Sequence, residues 1–158
     1  MDETTMKTGR VTGANGNLVS VAFDTSVIQN EVAFVKVSDG ARLKSEVIRV
    51  RGGQADMQVF ESTGGVKVGD PVEFTGQLLS VELGPGLLTQ VFDGLQNPLP
   101  RLAEESLFLK RGTYIYPLDD KRQWEYTPVA KVGDELFAGD EVGWVPEGIF
   151  HHKIMLPF

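Results

Sequence analysis

Hydrophobic and polar residues alternate with a period of two through most of residues 7–75, the spacing of strands with one buried face. In Leu18 to Phe23, Val19, Val21 and Phe23 share one face, and Leu18, Ser20 and Ala22 share the other. Glu31 to Val37 reads as a further strand. In Ala41 to Val50, Leu43, Ser45 and Val47 alternate with Arg42, Lys44 and Glu46, until the doublet Val47-Ile48 breaks the period as a bulge would. Ala55, Met57 and Val59 alternate with Asp56, Gln58 and Phe60. Lys7 to Gly13 opens the series. Pro71 to Thr75 closes it, with proline at a strand start, where it is tolerated. Turn signals separate the six segments: Asn15-Gly16, Ser38-Asp39-Gly40, Gly52-Gly53 and Ser62-Thr63-Gly64-Gly65. Six short strands with such turns predict a small closed barrel, because closure removes exposed edges.

The pattern changes after residue 75. Leu87, Leu88, Val91, Phe92 and Leu95 fall at helical spacing, predicting about two turns of helix that Asn97-Pro98-Leu99-Pro100 ends. Strand signals return at Thr113 to Tyr116, Trp124 to Val129 and Glu141 to Val145. Lys67-Val68-Gly69-Asp70 and Lys131-Val132-Gly133-Asp134 echo each other and read as two similar strand-entry turns. The expected class is therefore all-β. A barrel occupies 1–75, a connector with a short helix 76–110, and a second, incomplete β-rich region 111–158. The apolar run Lys153-Ile154-Met155-Leu156-Pro157-Phe158 reads as a cut inside a longer protein.

Composition agrees with β structure: 19 Val stand against 8 Ala. At 158 residues a chain hides roughly two-thirds of its extended surface on folding, enough for a core without staples. The absence of cysteine excludes disulfides and thiolate chemistry. A net charge of −7 without a basic block argues against nucleic acid and anionic membrane as partners. No apolar run reaches the ~18 residues that would cross a bilayer, and the acidic start Met1-Asp2-Glu3 is no secretory signal.

Candidate chemistry is sparse. The sequence holds no Gly-Lys pair, so it has no phosphate loop. Gly13-Ala14-Asn15-Gly16 reads as a hairpin, not a nucleotide fingerprint. His151 and His152 are the only histidines and would point to opposite faces of a strand, unsuited to one metal. The acidic pairs Glu104-Glu105, Asp119-Asp120, Asp134-Glu135 and Asp140-Glu141 read as solvated turns before they read as acid–base pairs. No G-x-S-x-G elbow supports a hydrolase. Tyr114, Tyr116, Trp124, Tyr126 and Trp144 gather in the last third, as core or as interface anchors. No residue is assigned as catalytic, cofactor-binding or metal-ligating.

Two stretches resemble the N-terminal portion of rotary ATPase head subunits: Phe60-Glu61-Ser62-Thr63-Gly64-Gly65-Val66-Lys67-Val68-Gly69-Asp70-Pro71-Val72, and Thr75 through Gly84-Pro85-Gly86-Leu87-Leu88. Phe92-Asp93-Gly94-Leu95-Gln96-Asn97-Pro98-Leu99 extends the likeness. The last third is similar to the bulge inserted in the catalytic A subunit of V-type and archaeal-type ATPases. The residues concerned are Trp124-Glu125-Tyr126-Thr127-Pro128, Gly139-Asp140-Glu141-Val142-Gly143 and His152-Lys153-Ile154-Met155. This resemblance implies a six-stranded crown barrel, followed by the start of the bulge. It implies as partners the non-catalytic B subunit and other A subunits of the head hexamer, with peripheral stalks against the bulge. It implies a cytoplasmic place, peripheral to the membrane. In the family, ATP and magnesium bind a later domain, so no such residue carries over. A second reading is a lipoyl- or biotinyl-like carrier, from the likeness of Val132 to Asp140, for which Lys153, the only lysine after Lys131, is a poor exposed tip, or a stand-alone β binding module.

Overall fold

A computed structural model describes residues 7–105 and 110–157. The readings of the acidic start and of Phe158 lie outside this range. The chain divides into two compact units, one formed by residues up to 80 with a return segment ending at Tyr114, the other by the rest.

The first unit is a closed barrel of strand order β1-β2-β5-β4-β3-β6, antiparallel throughout. Its strands are β1 (Lys7–Asn15), β2 (Leu18–Phe23), β3 (Glu31–Lys36), β4 (Arg42–Arg51), β5 (Gln54–Val59) and β6 (Pro71–Leu78). The alternation seen in the sequence becomes the inside and the outside of this barrel. Val11, Val19, Val21, Val35, Leu43, Val47, Met57, Val59 and Val72 fill the interior, essentially without exposure. Ser45, also interior, donates its Oγ hydrogen to the Ala33 carbonyl at 2.9 Å, so its polarity is satisfied. The register of β4 against β5 shifts between Val47 and Arg49, where the Val47-Ile48 doublet predicts a bulge.

The first hairpin turns one residue later than Asn15-Gly16 suggests. Asn15 pairs with Leu18, so Gly16 and Asn17 form the two-residue loop. Only Gly16 has positive φ, at 61°. A turn with that sign pattern needs glycine first and leaves the second position free, as in type II′. Gly9 meets a different demand. A Cβ there would lie 2.9 Å from the Ala22 carbonyl and 2.8 Å from Val21, so β1 crosses its neighbours only because the side chain is missing.

In the second unit no helix forms over 87–95. Thr89, inside the stretch, and Gln96, just past its end, have positive φ, 66° and 64°, which a right-handed helix does not contain. Asp93 organises a local loop instead: Oδ1 accepts the N–H groups of Leu95 and Asn97, and Oδ2 accepts the Asn97 side-chain amide. The helix α1 (Leu99–Glu105) starts where the sequence suggests an end. Pro100 sits in its first turn, where its lack of an N–H costs no bond. Three strands follow: β7 (Thr127–Pro128), β8 (Glu141–Glu147) and β9 (Phe150–Met155), in that order in one antiparallel sheet. Thr113 to Tyr116 is not a strand: the Tyr114 hydroxyl bonds to Glu61 and Lys44, the Ile115 N–H to the Asn97 side chain, and the Tyr116 carbonyl to Arg101. Val145 and Leu102 are the buried hydrophobic residues of this unit among those described. Phe137, Val132 and Ile149 are 69%, 109% and 92% exposed.

Candidate functional site

Two carboxylates organise the chain more than any catalytic arrangement does. The first is Glu61, just after β5. Its Oε1 accepts the Gly112 N–H at 2.7 Å, and its Oε2 accepts the Tyr114 hydroxyl hydrogen at 2.8 Å. That hydroxyl in turn accepts the Lys44 N–H at 2.7 Å. The Tyr114 ring packs edge-on against Phe34, with centroids 5.9 Å apart. Arg111 donates to the Ser62 and Gly64 carbonyls and pairs with Asp39. Residues 110–114 are thus a strap bound to the barrel. Burial raises the Tyr114 pKa, and the Glu61 carboxylate adds to the rise because it accepts the hydrogen that ionisation would remove. At Asp39, the Ala41 N–H and then Arg111 hold the carboxyl below its usual range.

The second is Glu147, buried at the end of β8 in the other unit. Its Oε1 accepts the N–H groups of Gly86 and Leu88, at 2.6 and 3.0 Å. Its Oε2 lies 2.7 Å from His152 Nδ1. Burial pushes its pKa up. The Gly86 and Leu88 amides and His152 outweigh that and leave it lowered. Glu147 therefore clamps the Gly84-Pro85-Gly86 loop to the β8–β9 hairpin. Asn97 performs a similar task, its Oδ1 accepting the Ile115 N–H at 2.8 Å.

The sequence echo is one local structure. In both copies the Asp side chain accepts the N–H three residues back, at 2.8 Å for Lys67 and Lys131, and its own N–H returns to that residue's carbonyl. Gly69 and Gly133 have φ of 94° and 104°. Phe137-Ala138-Gly139-Asp140 repeats the same two bonds, with Gly139 at 90°. The sequence comparison missed this third copy because only Gly-Asp is shared. β6 follows the first turn directly and β8 follows the third, but no strand follows the second.

The predicted candidates separate. His151 stacks on Trp144 at 3.9 Å while His152 turns to Glu147, so the two do not converge. Asp119, Asp134 and Asp140 cap turns, and Glu141 pairs with Lys153. Among the described residues, no three His, Asp or Glu side chains could hold a metal. Tyr116 and Tyr126 are about half exposed, Tyr114 and the tryptophans less so. Lys153 lies within β9 opposite Trp144, and the hairpin tip is Gly148-Ile149, so Lys153 has no carrier-tip position.

Comparison with known proteins decides the family. The profile of the ATP synthase alpha/beta family beta-barrel domain matches residues 11–76, and that of the ATP synthase alpha/beta subunit barrel-sandwich domain matches 115–158. The V-type ATP synthase alpha chain of Borrelia garinii is 58% identical over 155 residues, 97% of this chain and 27% of its own length. That of Treponema denticola is 60% identical over 151 residues, 95% of this chain and 26% of its own. The V-type ATP synthase alpha chain 1 of Treponema pallidum is 57% identical over 155 residues, 98% of this chain and 26% of its own.

The chain belongs to the ATP synthase alpha/beta family.

It spans about a quarter of the length of the curated relatives it matches. The family match removes the carrier reading. A barrel-sandwich domain accounts for the likeness of Val132 to Asp140 to half of a carrier domain. It also matches the strap's placement: the first profile ends at 76, the second begins at 115, and the strap lies between them.

Proposed function

We propose that this chain is the assembly portion of the catalytic alpha (A) subunit of a V-type rotary ATP synthase. The single observation that carries the reading is 58% identity over 97% of the chain to V-type ATP synthase alpha chains. In this reading residues 1–75 are the crown barrel, 76–110 the lead-in toward the nucleotide domain, and 111–158 part of the bulge. The crown pins the top of the head through contacts with the neighbouring B subunits, while other domains open and close. A closed barrel suits that task, since its backbone bonds are satisfied internally and it deforms little. Its outer face carries a charged cluster in which Glu73 pairs with Lys36 and Arg42. The exposed Val132, Phe137 and Ile149 of the second unit support a covered position in the assembled head, against a peripheral stalk or the remainder of the subunit. Within the described residues no helix is long and apolar enough to cross a membrane.

ATP and magnesium belong to the proposed whole subunit, and the residues present do not fit them. The sequence has no phosphate loop, and the described residues form no metal cluster. No catalytic step is therefore assigned to this chain. The test is sedimentation of the 158-residue chain with the isolated barrel of the non-catalytic subunit. A saturable complex is expected, and a Kd weaker than about 1 mM would sink the crown role.

A further inference from the structure

The second unit contains a groove of about 190 Å³ whose polar chemistry the assembly role leaves unused. Pro85, Pro98 and Pro117 contribute to its walls, and prolines bring no backbone N–H. Its side-chain donors are Arg101, Arg122 and Gln90. Both guanidinium groups are held in place by neutral contacts. Arg101 donates through Nη1 to the Tyr116 carbonyl at 3.1 Å, and Arg122 lies over the Trp124 ring, 3.9 Å from its centre. Trp124 lies close to Gly86, where a Cβ would stand 3.6 Å from its ring. Neither arginine forms an ion pair among the described residues. Asp119 also lines the groove; its Oδ1 accepts the Lys121 N–H, and it forms no ion pair with either arginine among the described residues.

We propose that this groove seats the carboxylate of an acidic residue in a partner polypeptide, gripped between Arg101 and Arg122. Planar guanidinium forks match a carboxylate in two-point geometry, and prior fixing lowers the ordering cost of the bond. The space is below the ~300 Å³ at which pockets for cofactor-sized ligands begin, and it admits a side chain. The surroundings favour a peptide over a free small acid. Val91 and Tyr116, sequence neighbours of Gln90 and Pro117, are 60% and 54% exposed. A polypeptide that carries apolar residues beside its glutamate can use exposed side chains of this kind, and a free dicarboxylate cannot. This inference does not depend on the crown role.

The test uses the 158-residue chain labelled with nitrogen-15 and follows the Arg Nε–H resonances. Probes are a blocked Leu-Glu-Glu-Leu peptide, its Leu-Gln-Gln-Leu counterpart, and malonate. The Glu peptide should shift Arg101 and Arg122 saturably, and the Gln peptide should bind about tenfold or more weakly. R101Q and R122Q should each weaken the Glu peptide by a similar factor, while K121Q outside the groove should not. R122K, which keeps charge but loses the fork, should bind less well than the parent. Backbone amide spectra outside the groove check that each variant is folded. Equal binding of the two peptides, malonate binding as tight as the Glu peptide, an unchanged R101Q or R122Q, or no arginine shift at the solubility limit each overturns the proposal.

Discussion

Replacing Tyr114 by phenylalanine removes one oxygen and two hydrogen bonds from the strap. One is a bond to a charged acceptor, Glu61, and the other receives the Lys44 N–H. Bonds to charged groups contribute about 1.5–3 kcal/mol and neutral ones about 0.5–1.5 kcal/mol. The phenyl ring keeps its edge contact with Phe34, and the half-buried Glu61 regains some water, so the net loss should fall at about 1–2 kcal/mol. For a domain of the barrel's size, each kcal/mol lowers Tm by roughly 4–8 °C. Urea unfolding of Tyr114→Phe, Glu61→Gln and the double variant gives both the loss and the coupling. The two residues share a bond, so a coupling energy of about 0.5 kcal/mol or more is expected. Additive losses would show that the Tyr114–Glu61 bond is not what couples the strap to the barrel, and a Tyr114→Phe variant within about 0.3 kcal/mol of the parent would show that the hydroxyl adds nothing.

The same hydroxyl gives a pH signature. Its folded pKa is raised above the ordinary 10.0, so above pH 10 the unfolded chain releases a proton that the folded chain keeps, and stability falls. Tyr114→Phe should flatten that alkaline slope in pH-dependent melting curves. At Glu147 the shift is downward from 4.5, so its contribution is present above that pH and is lost as pH falls through the lower folded value. Protection of the Gly86 and Leu88 amides against exchange, relative to the intrinsic rate at each pH, should fall in that acidic window, and Glu147→Gln should lower it already at neutral pH. Gly9→Ala should cost clearly more than Gly69→Ala. The first drives Cβ against the Ala22 carbonyl, while the second meets open space and carries only the roughly 1–2 kcal/mol of left-handed strain. Met57→Ala, in the barrel's centre, should lose about 2–5 kcal/mol by denaturant titration.

The barrel was legible because its information is local. Period-two alternation states which side chains go inside, and each turn carries its own glycine or asparagine. The doublet Val47-Ile48 even marked the bulge. The first turn was displaced by one residue because a glycine-first turn satisfies the hairpin as well as an asparagine-first one. The helix was misplaced for a related reason. Leu87 to Leu95 have helical spacing, but Asp93 and two left-handed residues hold that stretch in a loop. Proline in a first helical turn looks the same in sequence as proline that stops a helix. The strap and the Glu147 clamp were not legible at all. Glu61 and Tyr114 are 53 positions apart, and Glu147 and Gly86 are 61 apart. Such pairings leave no periodic trace. Reading Glu61 as part of the family motif was possible, but its bonding partner was not.

The closed hydrogen-bond circuit of β1 through β6 has a consequence for selectivity. A neighbour cannot attach to this module by backbone pairing, which would accept almost any extended chain. It must read side chains, and those on the outer wall, such as Lys36, Arg42 and Glu73, lie outside the interior packing and pair with one another. The wall works as a rewritable address on a fixed container. Two related modules could keep the same interior valines and still refuse each other's partners through a handful of charge reversals.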